Sequence, residues 1–175
     1  KKLLSLKKNL ILLEYKSSKI KTPFHIKTTR NFLLIQEKDN KKIINRDLLI
    51  KTKIKPKPKM IEDMLFAFTV SKYLNSNAIV LANNLSTVGI GVGQTSRLDS
   101  AMQALKKMNL NFKKTASVMA SDGFFPFPDI VKLCFKNNVI GIIQPGGSKN
   151  DADVINTANE LKIPLIFTGL RHFKH

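Results

Sequence analysis

The chain has 175 residues, enough for one domain or a large piece of a bigger protein, and 43% are hydrophobic, enough for a real core. Its apolar runs fall well short of a membrane span, and a single cysteine, Cys134, excludes an internal disulfide framework or a cysteine metal cluster. Thirty Lys+Arg against twelve Asp+Glu leave a net charge of +18, a field that favours polyanions.

The basic residues do not form a nucleic-acid signature. Lysines dominate over arginines and are spread along the chain beside many Asn and Ile, as in a sequence with a strong compositional bias. There is no zinc-finger spacing, no aromatic RNP-like strand and no repeated basic motif, so nucleic acid is not the expected main partner. An anionic small molecule would gain from the same field. The basic N-terminus lacks a small-residue cleavage site behind its apolar stretch, so a soluble, cytoplasmic protein is expected. A first residue of Lys rather than Met points to a piece of a longer protein.

Residues 1–58 read as a lysine-rich, strand-bearing section. Asn9 to Leu13 and Asn31 to Gln36 are strand candidates, and Lys41 to Thr52 holds a third. Lys53-Ile-Lys-Pro-Lys-Pro-Lys59 alternates Lys and Pro, resists helix and sheet alike, and is expected to be a linker. A domain boundary is placed there, with residues 59–175 beyond it.

From Met60 the pattern changes. Ile61, Met64, Leu65 and Phe68 recur at helical spacing, with Glu62 and Asp63 in a first turn favoured by the helix dipole, and the helix is expected to end near Leu74-Asn75. Ala78–Ala82 and Thr87–Gly91 read as strands joined by a turn around Asn83-Asn84. Ser96 caps a helix to about Met108, with Ala101, Ala104, Leu105 and Met108 inward. Strand 116–120, helix 129–137, strand 139–143, helix 150–161 and strand 164–168 follow. The alternation argues an α/β fold with a largely parallel sheet, in which ligands sit at the carboxyl ends of strands.

The special residues gather at those ends. Gly89-Ile-Gly-Val-Gly93 ahead of Ser96 either brings backbone N–H groups near an anion or makes a tight turn. Arg97 opposes the dipole of the helix it opens, so it has a partner charge or ligand, or else is solvated. In Gln144-Pro-Gly-Gly-Ser148 the glycines permit positive φ, and Ser148 caps the next helix, with or without donating to a ligand. Asn77 either orients a carbonyl or amide or serves a turn. Arg171 suits phosphate, and His172 and His175 suit acid–base work, although terminal tails are usually disordered. Cys134 falls on an apolar helical face and reads as a core residue. His25 is assigned nothing.

Five stretches belong together: Ser76-Asn-Ala-Ile-Val80, Gly89-Ile-Gly-Val-Gly-Gln-Thr-Ser-Arg97, Ala120-Ser-Asp-Gly-Phe-Phe-Pro-Phe-Pro-Asp129, Ile143-Gln-Pro-Gly-Gly-Ser148 and Arg171-His-Phe-Lys-His175. In order, spacing and chain ending they closely resemble the C-terminal part of the bifunctional purine biosynthesis proteins, a family with AICAR formyltransferase and IMP cyclohydrolase activities. The resemblance is dense from about Met60 to His175 and looser from residue 1 to about Asp39, where "NFLLIQEKD" is similar to the family.

The resemblance implies a cytidine deaminase-like α/β/α layered fold, partial at its N-terminus, and formyl transfer from 10-formyltetrahydrofolate to AICAR, giving FAICAR. Position by position, it implies that Asn77 holds the reacting groups, that Arg97 sits at the AICAR and folate site, and that Phe124 and Asp129 stack on and hydrogen-bond the pterin-type ring. It further implies Ser148 in the same pocket, Arg171 on the phosphate and His175 near the chemistry, with no metal. Two positions depart from the family: Pro128 stands where it usually has Arg, and Gly123 where it usually has Ala. The family's Lys-His acid–base pair and its cyclohydrolase domain belong to segments N-terminal to the matched part. The chain is therefore expected to be inactive without that remainder and to work as a homodimer. The alternatives are a remnant that binds nucleotide or folate without catalysis, and a basic nucleic-acid-binding module.

Overall fold

The computed structural model describes residues 23–113 and 115–174. The chain divides between Lys38 and Asp39 into a small and a large unit. In the small unit, β1 (Phe24–Thr28) and β2 (Leu33–Glu37) form an antiparallel hairpin, Phe24 opposite Glu37 and Thr28 opposite Leu33. β2 realises the strand expected over 31–36. Its partner β1 was not anticipated, because Phe24-His-Ile-Lys-Thr28 is too polar to read as a buried run. The strand expected at Asn9–Leu13 lies outside the described residues.

The large unit begins with a short 3-10 turn at Asn45–Asp47 and β3 (Leu49–Ile50), all that forms of the strand expected over 41–52. The pattern change placed at the Lys-Pro tract falls inside this unit. Lys51 N donates to Leu165 O (2.9 Å) and Lys53 N to Asn159 Oδ1 (2.8 Å), so the run into the tract is tied to the sheet and to a helix. Pro58 opens helix α1 (Pro58–Ser71), where a missing N–H costs nothing and the fixed φ suits the first turn.

Then follow β4 (Ile79–Asn83), β5 (Ser86–Gly91), α2 (Arg97–Phe112), β6 (Ser117–Ser121), α3 (Asp129–Lys136), β7 (Val139–Gln144), α4 (Asp151–Glu160) and β8 (Leu165–Phe167). The sheet order is β3-β8-β7-β6-β4-β5. Only β6, β7 and β8 run parallel; β3, β4 and β5 each pair antiparallel with their neighbours. The largely parallel sheet expected from sequence is thus a mixed one. One reason is the β4–β5 link, a two-residue turn with Asn84 and Leu85 both at positive φ (50° and 54°), which returns the chain at once and forces an antiparallel pair.

Period-two alternation splits the strands between two faces. Val80, Ala82, Val118, Ala120, Ile143 and Ile166 pack under α1 with Met64, Ala67 and Phe68. Ile79, Leu81, Met119, Ile142 and Leu165 face α2, α3 and α4. The result is the α/β/α layering that was expected. Cys134 belongs to this second core, its Sγ 3.5 Å from Met119 Sδ, and burial pushes its thiol far above the ordinary range. Among the described residues, no helix is long and apolar enough to cross a membrane.

Asp63 does not serve a helix dipole. It lies beyond the first turn of α1, is 7% exposed, and its carboxylate accepts from Asn84 N (3.1 Å) and Leu85 N (2.7 Å) in the β4–β5 turn. Asp63→Ala leaves two turn amides without acceptors and is expected to cost about 2–3 kcal/mol. Asp63→Asn keeps one acceptor and should lose less, a ranking that urea titration of the three proteins checks.

Candidate functional site

The strand directions bring the flagged loops to one end of the large unit. The parallel strands β6, β7 and β8 finish there. Ile79, at the start of β4, pairs with Ser121 at the end of β6 and with Gly91 at the end of β5. Asn77, the Val92–Ser96 link, the Asp122–Pro128 loop, the Pro145–Asn150 loop and the segment after Phe167 therefore share this end, as do the N-termini of α2, α3 and α4.

Arg97 is the hub. It is the first residue of α2, behind Ser96, whose Oγ accepts from Asp99 N (3.0 Å) as the expected N-cap. Its side chain is only 8% exposed. Nη1 donates to Ser121 Oγ (3.0 Å) and pairs with Asp122, whose side chain is fully buried; Nη2 donates to Asn77 Oδ1 (2.8 Å). The charge that opposes the helix dipole is thus met by a buried carboxylate rather than by solvent. Asn77 is locked from the other side as well, Nδ2 donating to Gln94 O (2.9 Å) and Thr95 O (3.2 Å). Both amide hydrogens are used, so Oδ1 alone keeps a lone pair for anything else. The Ser76–Asn77 peptide is cis.

The Ser121–Pro128 loop divides its three phenylalanines. Phe125 is fully buried in the core, and its N–H donates to Gln144 Oε1 (2.6 Å). Phe127 is exposed. Phe124 is half-buried, with the Arg171 guanidinium carbon 4.7 Å from its ring centre and 5.9 Å from that of Phe173. Arg171 thus covers one face of Phe124. Asn150 Nδ2 holds the loop through Pro126 O (2.7 Å). Gly123 is where the loop meets the hub: a Cβ there would lie 2.3 Å from Arg97 Nη2 and 2.8 Å from Phe173 Cε1.

After β7, Gly146 and Gly147 take φ of +73° and +91°, the positive values that glycine permits. Ser148 is not the helix cap. Asn150 holds that position, Ser148 Oγ accepts from Asn150 N (3.1 Å), and Asp151 accepts from Gly147 N (2.7 Å) and Ser148 N (3.2 Å). The amides of Gly147, Ser148 and Asn150 are therefore already used. A Cβ on Gly147 would lie 3.4 Å from Arg171 Nη2, so this loop adjoins Arg171.

Asn77 and Arg97 are therefore in direct contact, Phe124 and Arg171 stack, and Gly123 and Phe173 link the two pairs. Asp129 opens α3, is exposed, and accepts from its neighbour Ile130 N (2.8 Å). His175 lies outside the described residues. His172 is buried at 3% exposure, its ring tilted against that of Phe68 with centroids 4.7 Å apart, and its Nδ1 is joined to Asp39. Burial alone would raise the Asp39 carboxyl. The hydrogen bond and charge of His172, the charge of Lys72 at 3.6 Å and the Lys41 amide outweigh it and hold the carboxyl below its ordinary value. His172 is thereby a latch for the tail. Sequence reasoning missed Ser121, Asp122 and Gln144 here; the one available signal for Asp122 was the partner charge that Arg97 demanded. Among the described residues, no cluster of three or more His, Cys, Asp or Glu stands ready for a metal ion.

Comparison with known proteins adds three findings. The AICARFT/IMPCHase bienzyme family matches residues 1–107. The "Bifunctional purine biosynthesis protein PurH" of Thermoanaerobacter sp. (strain X514) is 46% identical over 173 residues, and that of Caldicellulosiruptor saccharolyticus is 42% identical over 174. Each alignment covers 99% of this chain but 34% and 33% of the relative, so the chain spans about a third of the length of the relatives it matches. Among solved structures, the apo dCMP deaminase of cyanophage S-TIM5 is similar at a TM-score of 0.44 and 19% identity, over 63% of this chain and 98% of that one.

Proposed function

The chain belongs to the AICARFT/IMPCHase bienzyme family, and from that premise we propose that it forms the ligand-binding part of a formyltransferase in purine biosynthesis. The substrates are AICAR and 10-formyltetrahydrofolate. The observation that carries this reading is the buried Arg97, joined at once to Asn77, Ser121 and Asp122 where the loops meet.

The 5-amino group of AICAR is a poor nucleophile, because the adjacent carboxamide withdraws its density. It must be aligned, relieved of a proton and matched by stabilisation of the oxyanion that forms as nitrogen attacks the formyl carbon. A new N–C bond then forms, the bond from the formyl carbon to N10 of the folate breaks, and N10 takes up a proton. Asn77 Oδ1, the one polar atom of that side chain with a lone pair to spare, accepts from the amine and aims it. Arg171, exposed and in contact with Phe124, takes the phosphate. Phe124 offers its other face to the pterin-type ring, Asp129 accepts that ring's N–H donors, and Ser148 borders the same pocket.

Proton transfer is the weak point of the chain by itself. His172, with Nδ1 on Asp39, is buried at 3% exposure, which leaves His175 and groups from the remainder of the longer relatives, or from a second copy in a homodimer. The same observation favours a second reading, a nucleotide- or folate-binding remnant without catalysis.

Formyl transfer from 10-formyltetrahydrofolate to AICAR, followed by tetrahydrofolate absorbance, separates the two. Turnover is expected when the chain is combined with the remaining segment of the longer relatives, and not from the chain alone. No turnover in a mixture shown to be folded and associated would leave the remnant. Affinity for DNA that falls steeply with salt, with no response to AICAR, would overturn both.

A further inference from the structure

A guanidinium carries its donors in one rigid plane, so fixing one of its nitrogens fixes the others. Ser121 and Asp122 hold Nη1 of Arg97, and this aims Nη2 at Asn77 Oδ1. The Asn77 carboxamide is planar too, and with Nδ2 on the carbonyls of Gln94 and Thr95 the direction of its remaining lone pair is set. At the start of this chain of contacts stands Asp122. Its backbone is anchored on both sides, N–H donating to Ala78 O (3.2 Å) and carbonyl accepting from His172 N (3.0 Å). Its side chain is fully buried, yet Oδ2 has no hydrogen-bond partner among the described residues. A half-used buried carboxylate is a poor way to stabilise a fold, since apolar residues of similar shape often do as well or better.

We propose that Asp122 is a positioning residue for ligand binding. It acts through Arg97 to fix the direction in which Asn77 Oδ1 receives an N–H donor, and so favours ligands that present an amine there. The identity of the ligand as AICAR rests on the formyl-transfer reading; the positioning itself does not.

The test uses the whole 175-residue chain, with nitrogen-resolved NMR of the Arg97 guanidinium and the Asn77 carboxamide and with titration of AICAR. Asp122→Asn keeps the shape and one acceptor but removes the charge. It is expected to speed exchange of the Arg97 guanidinium hydrogens and to weaken AICAR binding, each at least about tenfold, and to move the Asn77 resonances. In an Arg97→Leu background the same change should alter AICAR affinity by less than about twofold, because its effect travels through Arg97. A folded Asp122→Asn protein with unchanged Arg97 exchange, or an equal affinity loss in both backgrounds, would overturn the proposal.

If Asp122→Asn fails to fold, the Arg97→Leu/Asp122→Asn double variant should recover a cooperative melting transition, since no stranded charge remains. Failure to recover would show that Asp122 serves the fold directly, and would overturn the proposal too. A wild-type chain that does not bind AICAR would count against the formyl-transfer reading, while the NMR comparison still decides the role of Asp122.

Discussion

Gly91→Ala is expected to cost about 3 kcal/mol or more, about 10 °C in Tm for a chain of this size. An added Cβ at Gly91 would sit 1.9 Å from Ser100 O and 2.7 Å from Ser100 C, both backbone atoms of α2. No rotamer change relieves such a clash; the helix must move off the sheet. Gly89 meets the same helix one turn on, its Cβ 2.2 Å from Ala104 O. The two glycines lie two apart on a strand, and their contacts lie four apart on a helix, which seats α2 directly on β5. They serve neither as an anion cradle nor as a tight turn. Gly93→Ala is the control: no atom of the described residues stands within 4 Å of its Cβ, and its φ of +66° penalises alanine by about 1 kcal/mol. Chemical denaturation of the three proteins decides the matter, and a Gly91→Ala cost no larger than that of Gly93→Ala would refute the close seating.

Arg97→Leu carries the second large effect. It leaves the fully buried Asp122 carboxylate without its cation, a change that costs about 3–5 kcal/mol when a buried pair is broken from one side. It also releases Asn77 Oδ1 and Ser121 Oγ from their common donor. AICAR affinity is therefore expected to fall at least about tenfold, the worth of one charge-assisted hydrogen bond, even in the fraction that remains folded. Calorimetric melting and AICAR titration on one sample report the two losses separately. A stability loss near that of an ordinary surface substitution, within about 0.5 kcal/mol, would mean that Arg97 is solvated and the hub is not formed in solution. Gly123 belongs to the same argument. The space beside Arg97 Nη2 is one that a Cβ at that position would enter, so how this arginine is held depends on the missing side chain of Gly123.

Much of the layered fold was legible from local pattern. Ala101, Ala104, Leu105 and Met108 read as the inward face of α2 because helical period is a property of neighbouring residues, and all four are buried. Ser96 read as a cap for the same reason. The clustering of Asn77, Arg97, Phe124, Ser148 and Arg171 at one end followed from strand direction, and the structure brings them to that end. The misses have a common cause. Asp63 read as a dipole partner because its own helix was the only neighbour in view, whereas its acceptors serve a turn 21 and 22 residues on. His172 read only as an acid–base candidate, because Asp39, the carboxylate that holds its ring nitrogen, stands 133 residues earlier.

By itself, then, the sequence determined the helices and strands from Met60 onward, which of their faces are apolar, and which loops carry unusual residues, since each of these depends on side chains a few positions apart. The tertiary structure alone decided that the sheet is mixed, that Gly89 and Gly91 admit a helix backbone, and that Arg97 is neutralised by Asp122 and harnessed to Asn77. Those depend on which distant backbones approach within hydrogen-bond or van der Waals range once the two cores close, and short-range periodicity carries no record of that distance.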